Sequence, residues 1–169
     1  PNDTTVTCID MVPPAATLTV SDNCGTVPVV FTETISDSIC ENTLTITRMW
    51  LAEDDCGNIL EETQTITVVD TIAPVLSAYP TDTTVDCKDL VPPAPLITAF
   101  DQCSDVPVIF TETISDSSCV NLMTIIRKWI ATDECGNIDS AVQIINVIDT
   151  IPPTMSSAPN DTTVSCLDM

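Results

Sequence analysis

Cysteine is the residue type in this sequence best placed to do covalent chemistry. Cys8, Cys24, Cys40 and Cys56 recur as Cys87, Cys103, Cys119 and Cys135, and Cys166 opens a further set. None belongs to a CxxC pair and the chain has no histidine, so the pattern reads as a disulfide framework formed in an oxidising compartment. Four thiolates can also hold zinc, but zinc ligands usually come in closely spaced pairs. Catalysis is poorly served: no imidazole is present to activate a nucleophile, bridged cysteines are not thiolates, and no triad-like arrangement stands out. The expectation is a protein that is not an enzyme.

Carboxylates are the second group with chemistry to offer. There are 25 Asp and Glu against four Lys and Arg, a formal charge of -21. Nucleic acid and anionic membranes are recognised by clustered basic residues, so neither is expected as a partner; cations are. Calcium needs hard oxygen ligands gathered from several loops. In a head-to-tail array, Asp70 in a linker would meet Asp101 of FDQC and Asp133 and Glu134 of ATDECGN, with Asp82 nearby. No single loop has EF-hand spacing, and acids also favour tight turns without binding anything. No other cofactor is expected.

The elements that must position these groups come from a repeat. Aligned at an offset of 79 without a gap, about 45 of 79 positions are identical between the two full copies. This divides the chain into residues 1–79, 80–158 and a restart at 159–169, whose PNDTTVSCLDM echoes PNDTTVTCIDM at the start. The chain is therefore expected to be part of a longer array. Hydrophobic residues make up 44% and fall in alternating runs, which argues against an acidic disordered chain. No apolar run approaches the length of a membrane span.

Residues 50–74, WLAEDDCGNILEETQTITVVDTIAP, return as WIATDECGNIDSAVQIINVIDTIPP at 129–153. Period-two alternation, a Gly and Asn turn, a second alternating run and a proline exit describe a hairpin leading into a stiff linker. Residues 3–8, 16–20 and 27–35 read as further short strands, separated by PP and SDNCG turns, and no helical period occurs. The fold class expected is all-β, a tandem pair of immunoglobulin-like β-sandwiches with two disulfides each. If residues 27–35 run antiparallel to 43–53 with Phe31 opposite Trp50, then Glu33 faces Arg48 and Ile35 faces Ile46. Glu112 and Arg127 repeat the arrangement. These pairs read first as partly buried ion pairs that hold register, and only second as a ligand site. Four cysteines per copy allow three pairings, which sequence alone does not choose between. Immunoglobulin-like topology favours Cys24 with Cys56 at one end and Cys8 with Cys40 at the other, and likewise Cys103 with Cys135 and Cys87 with Cys119.

At SDNC, WLAEDDCGN, QTITVVDTIAP and DTTVTC the chain resembles the hyalin-repeat-like and related immunoglobulin-like (fibronectin III-like) modules of large secreted bacterial proteins, especially of the Bacteroidetes. The resemblance spans both full copies. It implies extracellular, cell-surface modules arranged as stalks, adhesins or fibres, without enzymatic activity, and it supports pairing the DNC cysteine with that of DxCGN. The chain lacks an additional cysteine pair that some members carry near the junction, which would leave the junction to side chains, backbone or metal. The resemblance also suggests O-glycosylation at Asp-Thr/Ser triplets, with Thr4, Ser38, Thr71, Thr83, Ser140, Thr150 and Thr162 as acceptors. Asn2 and Asn160 stand in N-x-T sequons. The function expected is the structural repeat of an extracellular fibre or stalk whose partner is itself. The alternative is an adhesin that holds a host protein or glycan on its loops, with the last residues exchanged as a strand between chains as a further mode of assembly.

Overall fold

The computed structural model describes residues 1–36, 40–115, 119, 121–158, 160 and 161. Ten strands account for almost all the regular structure among them: β1 (Thr4–Val6), β2 (Val29–Ile35), β3 (Thr43–Glu53), β4 (Ile59–Val69), β5 (Val75–Leu76), β6 (Thr83–Val85), β7 (Ala99–Phe100), β8 (Val108–Ser115), β9 (Leu122–Thr132) and β10 (Ile138–Ile148). Single turns of 3-10 helix follow β1 and β6 at Ile9–Met11 and Lys88–Leu90. Among the described residues, no helix is long and apolar enough to cross a membrane.

The copies build matching four-stranded sheets, β1-β4-β3-β2 and β6-β10-β9-β8. Each is centred on a hairpin of two 11-residue strands, closed by a turn in which Gly57 or Gly136 takes a positive φ, +83° or +89°, open to glycine at little cost. The first short strand of each copy lies parallel to the last, Thr4 opposite Ile66 and Thr83 opposite Ile145. Alternation puts Leu44, Ile46, Ile66 and Val68 into one core, with Val6, Ile9 and Val12 against it. Ile125, Ile145 and Val147 do the same in the second copy.

Between β2 and β3, Phe31 lies opposite Trp50, Glu33 opposite Arg48 and Ile35 opposite Ile46. Glu112 faces Arg127 in the same way. The sharing of one face does not make all of these residues interior. Arg48, Trp50 and Ile46 are buried, whereas Phe31 and Ile35 stay exposed because β2 is an edge strand that no other strand covers among the described residues.

Residues 16–20 do not form the strand expected of them. Their equivalents in the second copy, 95–99, run into β7, which exists because β5, arriving from the linker, offers it an edge: Val75 pairs with Phe100 and Leu76 with Ala99. The first copy has no such partner among the described residues. Its segment is held instead by Trp50, whose indole Nε1 donates to Ala16 O at 3.0 Å.

Candidate functional site

The described chemistry concentrates where the copies meet. The residues that converge there come from the ends of strands: Cys8 just after β1, Cys40 and Asn42 before β3 and Asp70 after β4 in the first copy, and the turns at 101–104 and 133–137 in the second. Each turn is built by an aspartate. Asp101 Oδ1 accepts the N–H groups of Cys103 and Ser104 at 2.8 and 3.1 Å. Asp133 Oδ1 accepts those of Cys135 and Asn137, and its Oδ2 accepts Asn137 Nδ2 at 2.8 Å. Asx turns of this kind fix the following backbone locally, so the cysteine two residues after each aspartate is presented in a set direction.

Those cysteines form the disulfides Cys8–Cys103 and Cys40–Cys135, with Cα atoms 5.1 and 5.2 Å apart. The pairing expected within each copy, Cys8 with Cys40, Cys24 with Cys56, Cys87 with Cys119 and Cys103 with Cys135, is therefore corrected, as is the count of two bridges per copy. The expected grouping of cysteines by end of the fold is close to what is found. Cys24 and Cys56 line one groove, but the two cysteines at an end turn toward the neighbouring copy rather than toward each other. The junction expected to lack covalent bonds has two.

Hydrogen bonds flank the bridges. Asn42 Oδ1 accepts Ile9 N at 2.8 Å, and its Nδ2 donates across the junction to Cys103 O at 3.2 Å. Asn137 Nδ2 donates to Asp70 O at 3.4 Å in the opposite sense. Burial follows. Cys8, Asn42, Asp70, Asp101 and Asp133 are all buried, while their repeat equivalents Cys87, Asn121, Asp149, Asp22 and Asp54 are half-buried or exposed. The repeat is thus its own control, and the docking of one copy on the next accounts for the difference.

Of the acids expected to share a cation, Asp70 and Asp101 come together. Their carboxylate oxygens lie within 4.8 Å of each other and of Cys103 Sγ, which the disulfide removes as a thiolate. Asp70 Oδ1 accepts Ile72 N at 3.0 Å. Asp101 Oδ2 is buried with no hydrogen-bond partner among the described residues, and so is Ser104 Oγ in the same turn. The other three do not belong to this group. Asp133 is occupied by its own turn, Glu134 is exposed, and Asp82 Oδ1 accepts Ile144 N at the entrance to β6.

The two ion pairs sit away from the junction. Arg48 Nε donates to Glu33 Oε2 and Arg127 Nε to Glu112 Oε2, both at 2.7 Å. Arg127 also donates to Pro92 O at 2.8 Å and to Gln143 Oε1 at 3.4 Å, so its guanidinium ties the covering segment to the sheet. Of the candidate sugar acceptors, Asn2, Thr71, Ser140, Thr150 and Asn160 are exposed, and Thr4 and Thr83 are half-buried within strands. Ser38 and Thr162 lie outside the described residues, as does Cys166.

One electrostatic shift is resolved. The carboxyl of Asp54 is held below its ordinary value, first by the side-chain hydrogen bond from Asn58 and then by the backbone N–H groups of the turn. Sequence reasoning passed over Asn42 and Leu76, the latter packed with Ile97, Trp129 and Ala131 in the second copy's core. The recurrence of Asn42 as Asn121 beside each cysteine was the available signal for the first. No family model matches the chain, and no curated protein is significantly similar to it.

Proposed function

We propose that this chain is a structural element of an extracellular fibre or surface stalk, in which immunoglobulin-like β-sandwich copies stand head to tail and are locked at the junction by covalent bonds. The observation that carries this reading is the pair of disulfides that cross from one copy to the next. Two staples at separate points on one junction oppose both bending and twisting, where a single bond would leave a swivel. A protein built to recognise something on its loops has little use for tying those loops into its neighbour. Disulfides fit an oxidising environment, and the uniform negative charge resists collapse of one copy onto another. The reading assigns no catalysis to the chain. Small-angle scattering tests it: an elongated particle whose maximum dimension holds in oxidant and shrinks or broadens in reductant is the expected result. A particle of the same shape and spread in both would remove the stapled rod.

The same junction is suited to a divalent cation. Two carboxylates so close, both buried and with no ion pair to either among the described residues, repel each other unless a cation intervenes. The unpartnered oxygens of Asp101 and Ser104 are of the hard type that calcium takes. Bound there, the ion would brace the linker at Asp70 against the turn at Asp101. Calorimetric titration with calcium, repeated on Asp101→Asn, tests this: heat in the first and none in the second is expected, and no heat in either rules the cation out.

A further inference from the structure

The two copies agree where their long hairpins face inward and differ where they face out. The buried alternate positions of β3 from Ile46 to Ala52, and of β4 from Gln64 to Val68, return unchanged in β9 and β10. The outward positions among them do not: Thr47, Met49, Thr63 and Thr65 become Ile126, Lys128, Val142 and Ile144. Since outward residues take no part in the core, the fold does not account for the change.

Register shows what the change makes. Ile126 stands beside Ile144 and Lys128 beside Val142 on adjacent strands, and Ile109 stands beside Ile130. Ile109, Ile126, Val142 and Ile144 are 61%, 43%, 47% and 36% exposed. They form one apolar field on the open side of β8, β9 and β10, and Lys128 is the only charge at the outward positions of those strands. A contiguous exposed apolar surface marks a site of contact. Lys128 belongs to neither ion pair, and it is one of only four basic residues in the chain.

The matching face of the first copy is its complement. The outward positions of β2, β3 and β4 are mostly threonine, with Val30, Met49 and Leu51 among them, and their only charges are Glu53 and Glu61. Glu61 stands beside Leu51. Two like faces would set lysine against lysine or acid against acid, and two unlike faces set lysine against acid.

We propose that a second copy of this chain covers the apolar face: the outward side of β8, β9 and β10 in one chain packs on the outward side of β2, β3 and β4 in another, with Lys128 against Glu61. The contact involves the sides of the copies and not their junction, so it goes beyond the stapled rod and stands or falls separately from it. A face three strands wide and ten residues long measures roughly 14 by 34 Å. That is less than the ~800 Å² which a standard interface buries on each partner, so a single contact is weak. Against a net charge of -21, it forms only where the local charges are opposite. Where copies are strung in an array, each added pair of faces strengthens the association.

Sedimentation velocity over a range of concentrations tests this, on the oxidised full chain with its exposed thiols alkylated so that no bridge between chains contributes. A sedimentation coefficient that rises with concentration is expected. Ile126→Thr/Ile144→Thr installs the residues that the first copy already carries at those places, and is expected to weaken association about tenfold or more through the apolar area lost. Lys128→Glu and Glu61→Lys are each expected to abolish self-association, because like charges then meet. An equimolar mixture of those two variants is expected to recover it, which only folded chains can do. A chain that stays monomeric at every concentration, variants that associate as the wild type does, or a mixture that fails to recover overturns the proposal.

Discussion

The carboxylates of Asp70 and Asp101 approach within 4.8 Å in residues that are only 6% and 7% exposed, and both ion pairs of the described residues lie elsewhere. At an effective dielectric constant of ~20, two unit charges that close repel by about 3 kcal/mol. In chelator, then, Asp101→Asn is expected to raise the unfolding free energy by about 1 to 3 kcal/mol, because the amide keeps the turn and removes a charge. In calcium the order reverses, since only the wild type gains the stabilisation that a bound ion confers on the folded state. Thermal melts in both conditions check it, and an Asp101→Asn variant that responds to calcium as the wild type does would rule the site out.

The bridges should be worth more to the junction than to either copy's own core. Each closes a loop of 95 residues, for which the chain-entropy model gives about 4 to 5 kcal/mol. Replacing Cys8 and Cys103 together by serine is expected to lower the stability of the two-copy unit by up to that amount. The hairpins Thr43–Glu53 with Ile59–Val69 and Leu122–Thr132 with Ile138–Ile148 should keep their protection, because their cores, Leu44 with Ile66 and Ile125 with Ile145, lie within single copies. Hydrogen exchange resolved by residue separates the two effects. Uniform loss of protection through both hairpins would mean that the copies do not fold as units.

These expectations also mark what could be read without a structure. The long hairpins were legible because alternation of period two and a Gly-Asn turn act locally, within a few residues of the atoms they arrange. Given Phe31 opposite Trp50, the facing of Glu33 with Arg48 and of Ile35 with Ile46 was legible, because register is propagated along a strand from one fixed pair. The cysteine partners were not. In a repeat, Cys24 and Cys103 are the same position, so a bond inside a copy and a bond to the next copy leave identical marks in the sequence. Only the stacking of copies distinguishes them. β5 was missed for a related reason: a two-residue strand has no periodicity, and Leu76 is recognisable as core only once Trp129 is beside it.

The ion pair of the second copy is asymmetric, and its two halves should respond differently to removal. The side chain of Arg127 is 4% exposed and that of Glu112 34%. Removing the glutamate strands a buried guanidinium, with Pro92 O and Gln143 Oε1 as its remaining partners. Removing the arginine leaves a carboxylate that water can reach. Glu112→Ala is therefore expected to cost about 2 to 4 kcal/mol and Arg127→Met about half as much, since an apolar replacement for a buried charge also removes a desolvation penalty. Denaturant unfolding of both variants checks the order, and equal losses would show that the pair acts only through packing.

The turn at Asp54 provides a dependence on pH whose sign follows from its hydrogen bonds. Asn58 Nδ2 donates to Asp54 Oδ2 at 2.7 Å, and the N–H groups of Cys56 and Asn58 donate to Oδ1 at 2.8 Å. All three favour the ionised carboxyl, and its titration in the folded chain lies below the ordinary value of 3.8. A depressed folded-state value means that the turn's contribution is present above the ordinary value and is lost as pH falls through the lowered one. Asn58→Ala removes the leading cause, so the Asp54 titration is expected to move back toward 3.8, read by NMR of the carboxyl carbon. A titration that stays where it was would show that the backbone N–H groups of the turn, and not the Asn58 side chain, hold the carboxyl down.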